Sequence, residues 1–298
     1  MIRPITVQLK IERHTMDLTK QPPRRPTNTS MLGIVSLARL TDKARAYRAN
    51  TIGEHLYGEN SGLDKKVLDF LGVTHDEFAD AAQRMNDAEL CDWLRETFPK
   101  TEDEIQAYNN ELLTWEPFDE ASRQRLKDRL EKFNADPNKV KTMLQSMELD
   151  DWGCFRDTDL THRPPRSPYN SDVAGIYGVS RTGDKARAAK AGKLNNYIYE
   201  CSLSQGLLDF LNISAEDFQD AAYHNVNDIE LGDWVLEHTD RTQDEISRLN
   251  ADLSQKGPEN EEQMEIFNST LERVAPGRTD VTTWFDLLDL EDAHIYSG

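Results

Sequence analysis

Two segments of the sequence gather positive charge in a chain that is otherwise acidic. Residues 17–50 hold seven basic and two acidic side chains, and residues 159–193 hold seven basic and three acidic ones. Cationic groups clustered in this way can hold a carboxylate or a phosphate, and a guanidinium can do so through two parallel hydrogen bonds. The candidate anion-binding residues are Arg24, Arg39, Lys43, Arg45, Arg166, Arg181, Lys185 and Arg187. The alternative is that these cations pair with acidic helices of their own domain.

Further candidates lie after the basic segments and near the end of the chain, in the sequence GRTDVTTWFD at residues 277–286. Their charged and aromatic side chains could contact the same ligand. These candidates are Tyr57, Tyr199, Arg278, Asp280, Trp284 and Asp286. The apolar residues that end this region predict a buried amphipathic helix. In the competing interpretation its charged residues form a helix cap and ion pairs.

Three residues could take part in catalysis. Glu54 and His55, beside Tyr57, could form an acid–base group because both side chains can have pKa values tuned towards neutrality. Adjacent residues on a helix do not share a face, however, so the two could not both reach one atom from a helix. Cys201 could act as a nucleophile, although no base is evident near it in the sequence. A buried, neutral thiol is the competing interpretation.

No pattern in the sequence indicates a metal or a cofactor. CxxC, HExxH and GxGxxG are absent, and the seven histidines are scattered. The segment GVSRTGDK at residues 178–185 approaches a phosphate-binding loop, but Asp184 stands where that loop requires lysine. The three cysteines form no paired pattern, which indicates reduced thiols and a cytoplasmic protein. We therefore expect neither a metal nor a cofactor.

Charge and hydropathy limit the classes of partner. The net charge of −19 argues against nucleic acid and anionic membranes, which attract basic surfaces. No run approaches the about 18 apolar residues that a membrane span requires, and no secretory signal is evident. Residues 151–298 carry 13 basic and 28 acidic side chains, a net charge of −15. This half of the chain could bind a basic protein partner.

The sequence repeats itself at an offset of 140–142 residues. DLTKQPPRRP at residues 17–26 returns as DLTHRPPRSP at residues 159–168, and DKARA at residues 42–46 returns at residues 184–188. A repeat of this length indicates duplicated domains, which we expect to form a pseudo-dimer. The expected divisions are an N-terminal extension at 1–15, a first domain at 16–151 and a second domain at 158–298.

Helical signals dominate both domains, which predicts a mainly α fold. Residues 63–71 place their apolar side chains mostly on one face of a helix that Gly72 can end. Thr74, Thr101 and Thr242 each precede a glutamate by three residues, the pattern of a capping box at a helix start. The Pro-Pro-Arg segments should form extended straps, because prolines do not fit inside helices. Only Ile5, Val7, Leu9 and Ile11 alternate like a short strand.

With DLTxxPPRxP, then DKARA, then the closing GRTDVTTWFDLLDLED, the chain resembles a bacterial family catalogued as domain of unknown function 5069. The resemblance covers about residues 16–292 and implies a small soluble domain, here in tandem, with no established activity. In the pattern of that family the middle of the domain reads Gly-Glu-Tyr-x-Tyr-x-Cys. The first copy keeps Gly53 and Glu54 but lacks the cysteine and the closing motif, whereas the second copy keeps Tyr199, Cys201 and the closing motif. Two partly lost sites explain this, and so does one composite site that joins the front of the first copy to the end of the second.

The favoured hypothesis is a site for a small anionic ligand, such as a sugar phosphate or an organic acid, between the basic segments and the closing motif. A locally positive patch in an acidic protein would concentrate anions. The hypothesis requires guanidinium groups that internal carboxylates do not fully engage. The alternative is an acidic helical module for protein–protein interaction. The sequence leaves open whether the chain is an enzyme.

Overall fold

Every regular element in residues 16–296, the part of the chain that the computed structural model describes, is a helix. The expected N-terminal extension, with its strand at residues 5–11, lies outside the described residues. Contacts between residues divide the chain into two units, Met1–Gly153 and Cys154–Gly298. The predicted mainly α fold with two homologous helical domains is confirmed.

The first unit begins with the helix of the DKARA sequence and ends with a helix that runs just past the unit boundary. Its α-helices are α1 (Leu37–Ala49), α2 (Gly62–Leu71), α3 (His75–Arg84), α4 (Asp87–Thr97), α5 (Glu102–Leu113), α6 (Glu120–Lys132) and α7 (Met143–Phe155). A short 3-10 helix at Gly58–Asn60 precedes α2.

The second unit repeats the same order of helices, from the second DKARA sequence to the closing motif. Its helices are α8 (Val179–Lys190), α9 (Ser202–Leu211), α10 (Ala215–His224), α11 (Asp228–His238), α12 (Gln243–Gln255), α13 (Glu261–Val274) and α14 (Trp284–Ile295). The predicted closing helix is therefore α14, which buries Phe285 and Leu287.

Local sequence signals set several of these helix ends. Thr101 and Thr242 make the predicted capping boxes, in which threonine and glutamate exchange side-chain and backbone hydrogen bonds. Thr74 makes the first half of its predicted box, since its side chain accepts from the N–H of Glu77 at the start of α3. Gly72 ends α2 with a φ of 83°, a backbone conformation that glycine adopts without strain.

The first helix of each unit is buried on all sides. All ten residues at positions 37–46 of α1 are buried, and four of them are charged. Residues 179–188 of α8 repeat this pattern, again with four buried charges. A helix buried all round is normally apolar, and an unpaired charge in the interior is strongly destabilising. The fold must therefore supply partners for these side chains from neighbouring segments.

The first helix of each unit, α1 or α8, is called the central helix below. Neighbouring helices enclose it with apolar side chains. In the first unit α3 packs closely on α1, and Ala44, Ala79 and Ala82 are fully buried in that core. Small side chains at a helix contact allow the two axes to approach. In the second unit α10 packs in the same way on α8, while α13 and α14 share a separate apolar cluster around Phe267 and Leu287. The closing helix is thus held from one side by its own small core.

The Pro-Pro-Arg segment forms a non-helical strap that is fixed to the central helix. The Asp17 carboxylate starts the strap by accepting hydrogen bonds from the backbone N–H and the hydroxyl of Thr19, and residues 159–161 make the same turn in the second unit. After the two prolines the backbone N–H of Arg24 donates to Oδ2 of Asp42 at 2.7 Å. The expected strap is present, and an aspartate of the central helix holds its end.

Replacing Asp42 with asparagine should lower the free energy of unfolding by about 3–5 kcal/mol, because the buried Arg24 guanidinium would lose one of its two carboxylate partners, Asp42 and Asp87. Urea unfolding followed by circular dichroism measures the loss. The matched control is Asp92→Asn, which removes an exposed carboxylate paired with Arg95 and should change the midpoint little. Equal unfolding midpoints for the two variants would contradict this role of Asp42.

Candidate functional site

Internal carboxylates bind the arginine at the end of the first strap. Arg24 Nη2 lies 2.8 Å from Oδ1 of Asp42 and Nη1 lies 2.5 Å from Oδ2 of Asp87, and only 2% of Arg24 is exposed. Arg45 approaches the same Asp87 at 2.7 Å and donates to the carbonyl oxygen of Ala82 near the end of α3. Burial alone would raise the pKa of Asp87, but the two guanidinium groups hold that pKa below its ordinary value. The network therefore joins the strap to α1, α3 and α4.

The second unit contains the same network. Arg166 pairs with Asp184 at 2.9 Å and with Asp228 at 2.6 Å, while Arg187 donates to the carbonyl oxygen of Ala222 at 2.8 Å. Burial alone would raise the pKa of Asp184, but the nearby guanidinium groups keep it below its ordinary value. The Asp184 carboxylate is therefore an ionised acceptor for the arginines.

The first arginine of each central helix reaches the closing helix of its own unit. Arg39 Nη1 lies 2.6 Å from Oδ2 of Asp151 on α7, and Arg181 Nη1 lies 2.5 Å from Oδ2 of Asp292 on α14. The Tyr197 hydroxyl also donates to Asp292, at 2.8 Å. The basic segment and the closing helix thus meet within each copy. The composite site would instead have joined the front of the first copy to the end of the second.

These contacts support the alternative that the basic segments pair within their own domain. The cations of the predicted anion site all donate to carboxylates, backbone carbonyls or side chains of their own unit. They are Arg24, Arg39, Lys43, Arg45, Arg166, Arg181, Lys185 and Arg187. All except Arg166, which is partly exposed, are buried. A network of this kind positions helices and leaves the arginines poorly placed to hold an external anion.

The two predicted tyrosines also serve internal contacts. The Tyr57 hydroxyl donates to the carbonyl oxygen of His75 at 2.8 Å, and the Tyr199 hydroxyl donates to that of Ala215 at 2.7 Å. Burial raises the pKa of both phenols, so neither ionises near neutral pH. Both tyrosines fasten the loop after the central helix to the start of the third helix.

Glu54 and His55 lie in a loop before the 3-10 helix, not on a helix. Glu54 is exposed and His55 is half-buried. Burial lowers the pKa of His55 to about 4, although the nearby Asp151 carboxylate opposes this effect. An imidazole with so low a pKa is a weak base, which disfavours the predicted acid–base role.

The closing motif is built as a helix start beside an exposed ion pair. Arg278 donates two hydrogen bonds to Asp280, at 2.6 and 2.7 Å, and Trp284 packs edge-on against Phe267. The N–H of Asp286 donates to the Thr283 hydroxyl at the start of α14. A cleft beside them is lined by Arg278, Asp280, Val281, Asp286, Asp289 and Leu290. Its three carboxylates would repel an anion.

The remaining buried cation of the first unit, Lys43, has a carboxylate partner. Its Nζ donates to Oδ1 of Asp64 at 2.6 Å and to the Ser61 hydroxyl at 3.2 Å. Ser61 is the N-cap of α2, and Asp64 lies in the first turn of the same helix. The ammonium charge is therefore neutralised by α2.

The corresponding Lys185 of the second unit has no carboxylate among its hydrogen-bond partners in the described residues. Its Nζ donates to the Ser204 hydroxyl at 2.8 Å, to Sγ of Cys201 at 3.0 Å and to backbone oxygens. At an offset of 140 residues, Ser204 replaces Asp64 and Cys201 replaces Ser61. The group that can carry the negative charge beside the lysine has changed from a carboxylate to a thiol.

The position of Cys201 favours the thiolate form. Cys201 is the half-buried N-cap residue of α9, and the positive end of a helix dipole favours a negative charge at this position. Burial alone would raise the pKa of the thiol, but the Lys185 ammonium and hydrogen bonds from Ser204 lower it to about 7. Burial also lowers the pKa of Lys185, and the Cys201 thiolate opposes that effect. The charged form of each group therefore favours the charged form of the other.

In the sequence, Lys185 and Cys201 are separate candidates, and no local signal connects them. Ser204 and Asp64, whose exchange changes the charge beside the lysine, are not among the predicted site residues. Aligning the two copies residue by residue would have connected these residues. The lysine of the central helix is the same in both copies, whereas the two residues that contact it at the start of the next helix differ.

A family model described as a domain of unknown function, DUF5069, matches residues 20–152 and again residues 162–294. A comparison with curated proteins finds no significant match. In the part of the chain that the structure describes, no helix combines the length and the apolar character needed to cross a membrane. Across these same residues, no group of three or more histidine, cysteine or carboxylate side chains is arranged to hold a metal ion.

Changing Asp64 to asparagine should destabilise the first unit by about 3–5 kcal/mol, because Lys43 would lose the carboxylate to which it donates. Denaturant unfolding of the full chain measures the change. Asp69→Asn on the exposed face of the same helix is the control and should be nearly neutral. An Asp64→Asn variant as stable as this control would show that the Lys43–Asp64 pair does not stabilise the unit.

Proposed function

Because the chain belongs to the DUF5069 family, as two tandem copies of a domain of unknown function, we propose a function from the site that distinguishes the copies. The second unit is a thiol-based module in which Cys201 attacks a small electrophilic molecule as a thiolate. The reactant class is a peroxide, a disulfide or a comparable small electrophile. The first unit keeps the same scaffold without the nucleophile.

One observation carries this proposal: the ionisable group beside the shared lysine is a carboxylate in the first copy and a thiol in the second. Both copies bury the lysine in the same position of the central helix, with Lys43 5% and Lys185 3% exposed. In the first copy Asp64 neutralises the ammonium, whereas in the second the adjacent ionisable group is Cys201. A buried ammonium requires a nearby negative charge. In the second unit the Cys201 thiolate supplies that charge, because its sulfur lies 3.0 Å from the lysine Nζ.

The surroundings of Cys201 suit a nucleophile. With a pKa of about 7, about half of the thiol is ionised at neutral pH without a separate base. Although no base lies near Cys201 in the sequence, a base is not required, because Lys185 stabilises the thiolate directly. Part of the Cys201 residue is exposed, and the cleft beside the closing motif does not include it. A small reactant is therefore favoured over a large metabolite.

The broader idea of an anionic metabolite bound by the basic segments receives little support from the contacts of these cations. Arg181, for example, donates to Asp292 and to the backbone oxygen of Arg166 and is 3% exposed. An anion would have to displace a buried carboxylate before it could bind such a residue, which is costly. The proposal therefore centres on the Lys185–Cys201 pair.

The pH dependence of alkylation tests the thiolate. In a Cys91→Ser/Cys154→Ser background, the iodoacetamide reaction of Cys201 should accelerate as the pH rises and reach half its limiting rate near pH 7. Lys185→Met should move this midpoint to the ordinary value of 9.0 or above, since burial remains and the ammonium is lost. Alkylation at pH 7 should then slow by about tenfold or more, because only the thiolate reacts. An unchanged midpoint in Lys185→Met would refute the proposed pairing.

Exchanging residues between the copies gives a second test that does not remove the lysine. Ser204→Asp restores the carboxylate of the first copy, so the pKa of the Cys201 thiol should rise and its alkylation at pH 7 should slow. In the first copy, Ser61→Cys alone should give a slow thiol, because Asp64 already neutralises Lys43. Adding Asp64→Ser should make the introduced thiol fast. If the carboxylate has no effect in either copy, the charge exchange does not control reactivity. Circular dichroism checks that each variant is folded.

A further inference from the structure

Lys185 and Cys201 are arranged for more than an ion pair. The lysine Nζ lies 3.0 Å from Sγ, and backbone oxygens of Ile198 and Tyr199 and the Ser204 hydroxyl hold the amine in this position. The lysine is 3% exposed, whereas the cysteine is partly accessible to a small reagent. A nitrogen nucleophile is therefore held in contact with a sulfur atom that an oxidant can reach.

Oxidation of the sulfur would change the charge of this pair. The Asp292 carboxylate also acts to raise the pKa of Lys185, but it already accepts from Arg181 and from the Tyr197 hydroxyl. Converting the thiolate to a neutral sulfenic acid would thus remove the main negative charge beside the ammonium. A buried ammonium without a counter-charge tends to release its proton and become a neutral amine. This change would create a nucleophile next to an electrophilic sulfur.

We propose that peroxide oxidation of Cys201 joins its Sγ to Nζ of Lys185 in a reversible sulfenamide cross-link. The inference rests on the proposed thiolate and adds a regulatory consequence to it. Closing the link would consume the nucleophile and protect the sulfur from irreversible oxidation. The link would also tie the central helix α8 to the start of α9.

The chemistry balances in two steps. The Cys201 thiolate attacks one oxygen of hydrogen peroxide, so an S–O bond forms, the O–O bond breaks and hydroxide leaves. The proton released by Lys185 converts that hydroxide into water, which leaves a neutral sulfenic acid beside a neutral amine. The neutral amine then attacks the sulfur of the sulfenic acid, forming the S–N bond and releasing the oxygen as water. Sulfur loses two electrons and the peroxide accepts them, while nitrogen is not oxidised.

Thiols reverse the link by a balanced exchange. An external thiolate attacks Sγ, the S–N bond breaks and the lysine nitrogen leaves with a proton. A second thiol molecule then reduces the resulting mixed disulfide and restores the Cys201 thiol. The first unit cannot make this link, because the serine hydroxyl of Ser61 occupies the corresponding position.

Peptide mass spectrometry of the full chain tests the cross-link. After treatment with hydrogen peroxide and digestion, the peptides that contain Lys185 and Cys201 should appear as one joined pair. This pair should be two hydrogen atoms lighter than the sum of the two reduced peptides, and dithiothreitol should separate it. The matched variant is Lys185→Arg, which keeps a cation beside the thiol and should give no joined pair.

The outcomes separate this inference from the proposed function. Rapid alkylation near pH 7, together with peroxide-treated Cys201 that is trapped as sulfenic acid by dimedone and never joined to Lys185, would overturn the cross-link alone. A joined pair that retains one additional oxygen atom would overturn the direct S–N bond. Slow alkylation that Lys185→Met does not alter would remove the thiolate on which both proposals depend.

Discussion

The pairing of a strap arginine with an aspartate in a buried helix is the interaction on which each unit depends. Asp42 is fully buried and accepts both the backbone N–H and the guanidinium of Arg24. Because an unpaired interior charge is so unfavourable, each further cation of the central helix requires a partner group from another segment. Asp87 on α4, Asp64 on α2 and Asp151 on α7 meet this requirement in the first unit. Charge pairing thus fixes the positions of the helices that the apolar core surrounds.

The sequence predicted the parts of this fold that depend on local chemistry. The capping boxes of Thr101 and Thr242, the glycine at the end of α2 and the prolines of the straps act within a few residues, and each is found as predicted. The box at Thr74 forms by half, with the threonine side chain accepting from the N–H of Glu77. The candidate site was harder to predict, because the partner of a charged side chain can lie over a hundred residues away, as Asp151 does from Arg39. A basic segment that binds a ligand and one that binds its own domain have the same composition. Only the positions of the distant carboxylates separate the two.

Comparison of the two copies identifies the residues that distinguish the second unit chemically. The two copies share the buried lysine, the loop tyrosine and the helix that follows. They differ where the lysine needs a negative charge, which Asp64 supplies in one copy and Cys201 can supply in the other. The first unit therefore serves as an internal reference for the second. The same scaffold contains an inert ion pair in one copy and a candidate nucleophile in the other.

The ionisation of Cys201 is the central claim, and an NMR titration observes it directly. With isotope-labelled cysteine in a Cys91→Ser/Cys154→Ser background, the chemical shift of the Cys201 Cβ reports the thiolate at each pH without any reagent. If Lys185 stabilises the Cys201 thiolate, the midpoint is about 7 in the otherwise unaltered chain and higher in the Lys185→Met variant. A midpoint at the ordinary thiol value of 9.0 in both proteins would contradict it.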